Sequence, residues 1–113
     1  MAEYLLELSP AAYRDLKGLP LKIQKSIVLI HLPRIAEQPF EVSKPLFGSL
    51  QGERSYHFGR RPEYRIIYFI EGKNITVTII GSREGIYKIK RPGPEGSWRI
   101  FLSGIEERGS GIG

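Results

Sequence analysis

The run Tyr64-Arg65-Ile66-Ile67-Tyr68-Phe69-Ile70 places one arginine inside an otherwise apolar and aromatic stretch. β-Branched and aromatic residues dominate it, and turn-forming residues bound it, so it predicts a buried strand. A cation there needs an answering group, because desolvating a charge is costly unless something pairs with it. The answer is either a protein carboxylate or an anion brought by a ligand, a phosphate above all.

Two further runs flank this strand. Arg54 to Phe58 precedes it across the turn 59–63, and Ile75 to Gly81 follows it across Glu71-Gly72-Lys73-Asn74. Upstream, Tyr4 to Leu8 reads as a first strand. Ser9-Pro10 then opens a helix, with a hydroxyl cap followed by proline at the first helical position. That helix runs through Lys17 and stops at Gly18. Pro20 opens a second helix, in which Ile23, Ile27 and Ile30 form one apolar stripe. Pro33 lacks an amide hydrogen and clashes with the preceding turn, so the spacing predicts a helix over 20–32 and a less regular turn to Gln38. Pro39 to Leu50 is a connecting segment punctuated by Pro39, Pro45 and Gly48. The order is β-α-α-β-β-β. It predicts an α+β domain, an antiparallel sheet with two helices packed on one face.

Alternation assigns the faces. Pairing Phe58 with Tyr64 sets His57 opposite Arg65 and Ser55 opposite Ile67. Pairing Glu71 with Asn74 sets Phe69 opposite Thr76, Ile67 opposite Thr78 and Arg65 opposite Ile80. The core face then carries Tyr56, Phe58, Tyr64, Ile66, Tyr68, Ile70, Ile75, Val77 and Ile79. The other carries Ser55, His57, Arg65, Ile67, Phe69, Thr76, Thr78, Ile80 and Ser82, a mixture of basic and hydroxyl groups around an apolar floor. Strict alternation would send Arg83 to the core face, and a bulge at Gly81 is expected to redirect it.

From Pro92 the character changes. Pro-Gly-Pro-Glu-Gly-Ser and a final Gly-Ser-Gly-Ile-Gly enclose Trp98, Ile100, Phe101, Leu102 and Ile105. The division expected is a domain over 1–91 and a Pro/Gly-rich extension over 92–113. Its glycines favour a mobile end, and its aromatic residues favour docking, with Trp98 as anchor.

Seventeen Lys and Arg against twelve Asp and Glu leave a charge of +5. That points to a polyanion such as nucleic acid, or to an acidic protein. The distribution favours nucleic acid. Residues 54–65 hold Arg54, His57, Arg60, Arg61 and Arg65 against Glu63, and residues 83–91 hold Arg83, Lys88, Lys90 and Arg91 against Glu84. The chain has no cysteine, which excludes disulfides and thiolate zinc sites. It has no apolar run of membrane-spanning length and no secretory signal at its start, so a cytoplasmic protein without a membrane partner is expected. His31, beside Pro33 in a helix, reads as structural.

Several motifs resemble the RelE/ParE superfamily of toxins from type II toxin–antitoxin pairs. They are the opening strand with Ser9-Pro10-Ala11-Ala12 and Leu16, the segment Lys44-Pro45-Leu46-Phe47-Gly48, the strand Tyr64-Arg65-Ile66-Ile67-Tyr68, and the ending Gly81-Ser82-Arg83 to Tyr87. The resemblance spans residues 4 to about 90 and implies the same β-α-α-β-β-β fold. RelE-like members cut messenger RNA, usually in the ribosomal A site. ParE-like members share the fold and inhibit DNA gyrase instead. By resemblance the RelE-like functional positions fall on His57, Arg65, Arg83 and Tyr87. Some members carry paired lysines where this chain has Ser55 and His57, so the general base is the point of departure.

The reaction implied needs no metal and no cofactor. The RNA's own 2′-hydroxyl attacks the adjacent phosphorus, leaving a 2′,3′-cyclic phosphate and a 5′-hydroxyl. His57 suits the base, since imidazole exchanges protons near neutrality. Arg65 and Arg83 suit the phosphorane charge. Tyr87 suits stacking or proton donation, and Lys44, Arg54, Arg60, Arg61, Lys88 and Lys90 suit RNA binding. Against these stand plainer roles: Arg65 paired with Glu63, Glu71 or Glu84, Arg83 paired with Glu106 or Glu107, and Tyr87 in the core. The partners implied are messenger RNA and a cognate antitoxin, with a heterotetramer plausible for the pair. The alternatives are a ParE-like gyrase inhibitor and an inactive member that only binds antitoxin.

Overall fold

A computed structural model describes residues 4–47 and 52–87. Five strands form one sheet in the order β1-β5-β4-β3-β2. They are β1 (Leu5–Leu8), β2 (Lys44–Pro45), β3 (Glu53–Phe58), β4 (Tyr64–Glu71) and β5 (Asn74–Ser82). β2 to β5 are antiparallel, as expected of strands joined by short turns, and β1 runs parallel to β5. The α+β architecture predicted from the strand and helix order is therefore present, with a mixed sheet in place of a wholly antiparallel one.

Ser9 caps α1 (Pro10–Lys17), its hydroxyl accepting the Ala12 amide at 3.1 Å, and Gly18 ends the helix. The second helical passage corrects the sequence reading. It begins as α2 (Leu21–Ser26), widens into a π segment (Ile27–His31) and continues as α3 (Leu32–Glu37) through Pro33. The Leu32 amide reaches back five residues to the Ile27 carbonyl. A wider turn takes up an extra residue and relieves the clash a proline ring makes with the carbonyl four residues earlier. It also delays the buried face by one position. Ile27 and Ile35 are buried, while Ile30, expected in the stripe, is exposed.

The helices cover one face of the sheet. Ala12, Leu16, Ile27 and Ile35 pack there against Tyr56, Ile66, Tyr68, Val77 and Ile80. The Tyr68 hydroxyl is satisfied within this core, donating to the Pro39 carbonyl at 2.6 Å. His31 belongs to the same side: its Nδ1 lies 2.7 Å from the Tyr56 hydroxyl and its ring stacks on Phe58.

The β3–β4 register is the predicted one, with His57 opposite Arg65 and Ser55 opposite Ile67. β4–β5 starts as predicted, Glu71 opposite Asn74 and Phe69 opposite Thr76, and then slips. Tyr68 faces Val77 but Ile67 faces Ile79, leaving Thr78 as the extra residue of a bulge. The bulge thus lies at Thr78, not Gly81. The Thr78 hydroxyl is within hydrogen-bond distance of Glu53 Oε1 (3.0 Å) and the Ile67 carbonyl (3.3 Å). Ile80 therefore enters the core, Ile79 passes to the other face, Gly81 faces Arg65, and Ser82 faces Tyr64. One residue of slip carries Arg83 away from the core side.

Candidate functional site

Three elements converge beside the His57–Arg65 pair. The first is the turn 59–63. Gly59 opens it at φ +81°, where a Cβ would stand 2.9 Å from the Pro62 carbonyl oxygen, so this position requires glycine. The turn holds Arg60 and Arg61 outward and brings Glu63 back over the sheet. The second is α4 (Arg83–Tyr87), whose first turn is closed by the Gly85 amide on Ser82 Oγ at 2.9 Å. Its Arg83 amide donates to the Glu63 carbonyl at 2.8 Å. Ile86 packs over Gly81, where an added Cβ would stand 3.3 Å from Ile86 Cγ1. The third is β2, whose exposed Lys44 lies opposite Ser55.

Between the turn and α4 opens a hollow of about 420 Å³ lined by Arg60, Arg61, Glu63, Arg83 and Glu84, with Pro62 and Ser82 completing it. At its edge, Glu63 Oε2 lies 3.1 Å from His57 Nδ1 and 3.3 Å from Arg65 Nε. His57 Nε2 is 2.9 Å from Ser55 Oγ. The imidazole is one-third exposed (34%), the Glu63 carboxylate slightly less (29%). Burial lowers the His57 pKa below the usual histidine value, and the Arg65 guanidinium lowers it further. Glu63 opposes them, while Lys44 and Arg83 add smaller effects in the same direction as Arg65. The lowered pKa favours the uncharged imidazole near neutrality, the form able to accept a proton.

Arg65 departs from the picture of an open phosphate grip. It is only 6% exposed, and the carboxylate beside it is Glu63. Of the two answers open to this cation, the protein supplies the first at Nε. His57, Arg65 and Arg83 nevertheless gather at one place, with Arg60, Arg61 and Lys44 around them. Arg54 does not join them. It faces Tyr68 on the helix side, and its guanidinium donates to Ser43 Oγ (2.6 Å) and to the carbonyls of Phe40 and Ser43. The Tyr87 side chain, Lys88 and Lys90 lie outside the described residues, as does the extension over 92–113. Glu63 as a partner common to His57 and Arg65 was not anticipated. Its signal was present, since it is the only acid within the basic stretch 54–65. Glu53, buried on the same face as Ser55, gave none.

A family model described as "ParE toxin of type II toxin-antitoxin system, parDE" matches residues 6–87. The chain is also 33% identical over 87 residues to "Toxin RelG" of Mycobacterium tuberculosis, covering 75% of this chain and 97% of that one. This chain belongs to the RelE/ParE superfamily of toxins. "Toxin RelE" of the same organism is 34% identical over 77 residues, covering 68% of this chain and 76% of the relative. Among solved structures, the toxin–antitoxin complex RelBE2 from M. tuberculosis aligns with a TM-score of 0.65 at 27% identity, covering 73% of this chain and 93% of the matched chain. YafQ from E. coli, at 22% identity and a TM-score of 0.56, covers 74% of this chain and 98% of its own, and shares the fold. The superfamily match agrees with the architecture. Among the described residues no helix is long and apolar enough to cross a membrane.

Proposed function

We propose that this RelE/ParE toxin is an endoribonuclease that cuts messenger RNA in the ribosomal A site by metal-independent transfer to the 2′-hydroxyl. His57 Nε2 removes the 2′ proton, O2′ attacks the adjacent phosphorus, and the bond to the 5′ oxygen breaks. The 5′ oxygen leaves as a hydroxyl, taking its proton from an acid for which Tyr87 is the candidate by resemblance. Arg83 binds the phosphate oxygens across the hollow as charge accumulates on them. Arg60, Arg61 and Lys44 hold the flanking backbone without reading sequence. Arg65 acts from beneath, through Glu63. A cognate antitoxin with an acidic segment covers this basic face, and the pair assembles as a heterotetramer.

The observation that carries the reading is a partly exposed histidine with a carboxylate 3.1 Å from one ring nitrogen, set at the rim of an arginine-lined hollow. A second reading, non-enzymatic inhibition of gyrase, draws on the ParE description of the matching family and on the burial of Arg65. Primer extension on messenger RNA after induction in cells separates the two. Cuts that disappear with His57→Ala support the nuclease. Toxicity without RNA cuts, accompanied by DNA-damage signalling, overturns it in favour of the gyrase reading.

A further inference from the structure

The geometry points to Glu63 as the positioning residue of this site: one carboxylate oxygen fixes the tautomer and ring plane of His57 while tying Arg65 beneath it. For its catalytic consequence this inference rests on the nuclease reading; for its structural content it does not.

Neutral imidazole carries its proton on either ring nitrogen, and the neighbours of each nitrogen decide which. An ionised carboxylate only accepts, so the Nδ1 nitrogen 3.1 Å from Glu63 Oε2 is the one it favours for the proton. Nε2, 2.9 Å from Ser55 Oγ, then accepts from that hydroxyl and carries the ring's lone pair. The carboxylate thus makes Nε2 the basic atom, and the Ser55 hydroxyl occupies the place that a substrate hydroxyl takes when it binds. With the opposite tautomer Nε2 would hold a proton and be useless as a base. Serine proteases use a carboxylate on the far nitrogen in the same capacity.

Arg65 explains why the carboxylate stays put. Its Nε–H donates to Glu63 Oε2, and the guanidinium is buried and held by the sheet. The Arg83 amide bonds the Glu63 carbonyl, so both the backbone and the side chain of Glu63 are fixed. The charged groups acting on His57 are Arg65 from β4, Glu63 from the turn, Lys44 from β2 and Arg83 from α4. Three are cations that disfavour the imidazolium, and Glu63 is the single group among them that favours it. Removing Glu63 therefore has two consequences of known sign. The tautomer is released, and His57 binds its proton still less readily.

Long-range nitrogen–proton NMR correlations on the full ¹⁵N-labelled chain read the first, and the pH dependence of RNA cleavage reads the second. In the wild-type chain at neutral pH, His57 is expected protonated on Nδ1. Glu63→Ala shifts it toward the Nε2-protonated form, lowers cleavage by about tenfold or more, and moves the acid limb of the pH profile to lower pH. Glu63→Gln keeps an acceptor oxygen without the charge. It is expected to retain the Nδ1–H tautomer and recover much of the cleavage, with the acid limb still displaced. A carboxylate that merely stabilised the turn would lower the melting temperature and leave tautomer and limb in place. That result, or a wild-type His57 protonated on Nε2, overturns the inference. Should the wild-type chain cut no RNA at all, the nuclease reading fails alone, because the NMR result still decides the role of Glu63. If Glu63→Ala does not fold, the displaced limb and His57 titration in Glu63→Gln carry the decision.

Discussion

The backbone amide of Arg83 donates to the carbonyl of Glu63 at 2.8 Å. These two residues are far apart in sequence, and this bond joins the start of α4 to the end of the 59–63 turn. It places an exposed guanidinium on the same hollow as Arg60 and Arg61. Because the backbone makes the bond, this tether of α4 to the turn survives truncation of the Arg83 side chain.

Arg83→Ala is therefore expected to separate activity from stability. Cleavage should fall about 10²–10³-fold, by analogy with the removal of one preorganised oxyanion donor. The unfolding free energy should stay within about 0.5 kcal/mol of the wild type, as for an ordinary surface substitution. Single-turnover cleavage on programmed ribosomes and urea titration read the two quantities. Equal loss in both would assign Arg83 to the fold.

The two histidines give a pH dependence of fixed sign. Burial lowers both pKa values, helped by Arg34 at His31 and by Arg65 at His57. In the unfolded chain both return to about 6.5. As pH drops below that value the unfolded state takes up protons first, so stability falls with falling pH and levels off only below the folded pKa values. Above about pH 7 both states hold neutral imidazoles and this contribution is fully present. On the proposed mechanism cleavage needs neutral His57, so its plateau should extend to lower pH than a solvated histidine permits. Melting temperatures across about pH 4.5–8.5, two units either side of 6.5, for wild type and His57→Gln check the linkage. The variant's profile should be flatter.

Arg54→Ala should behave in the opposite way to Arg83→Ala. The guanidinium holds the 39–43 loop through Ser43 and Phe40 and lies over the Phe40 ring. Losing these charge-assisted bonds at a half-buried site should cost about 1.5–3 kcal/mol. Cleavage per folded molecule should be unchanged, since Arg54 faces away from His57. A loss of RNA affinity at full stability would show that this arginine reaches the nucleic acid after all.

How far the sequence disclosed this arrangement depends on the range of the forces involved. His57 opposite Arg65 followed from a short turn and strict alternation, both local. So did the Ser9 cap and the stop at Gly18. The bulge at Thr78 was not legible in that way, because its hydroxyl is met by Glu53, which lies on a strand not adjacent to its own. The consequence was an exchange of Ile79 and Ile80 between faces. Pro33 predicts a break on local grounds, whereas the folded chain carries the helix through it by widening to a π segment over 27–31. For Arg65 the sequence reading favours a phosphate over a protein carboxylate, whereas the folded turn brings Glu63 within reach of its Nε.

Asp15 supplies the last test, and it concerns the strand that launches Arg83. β1 pairs with β5 only as far as Leu8 opposite Val77, so among the described residues no strand lies beside the outer edge of β5 beyond that point. The Ile80 amide, just past the bulge, instead donates to Asp15 Oδ2 of α1 at 3.0 Å. The bond fastens a helix to the shifted half of β5. Asp15→Ala deprives a partly buried amide of its acceptor and should cost about 1–3 kcal/mol. Asp15→Asn keeps an oxygen at the same place and should cost less. Denaturant midpoints measure the difference, and amide exchange at Ile80 should quicken in Asp15→Ala relative to Val77, which lies within the β1-paired part of the strand. If exchange at Ile80 is as slow as in the wild type, Asp15 does not hold the bulged segment, and the register that carries Arg83 to its place is fixed by β4 alone.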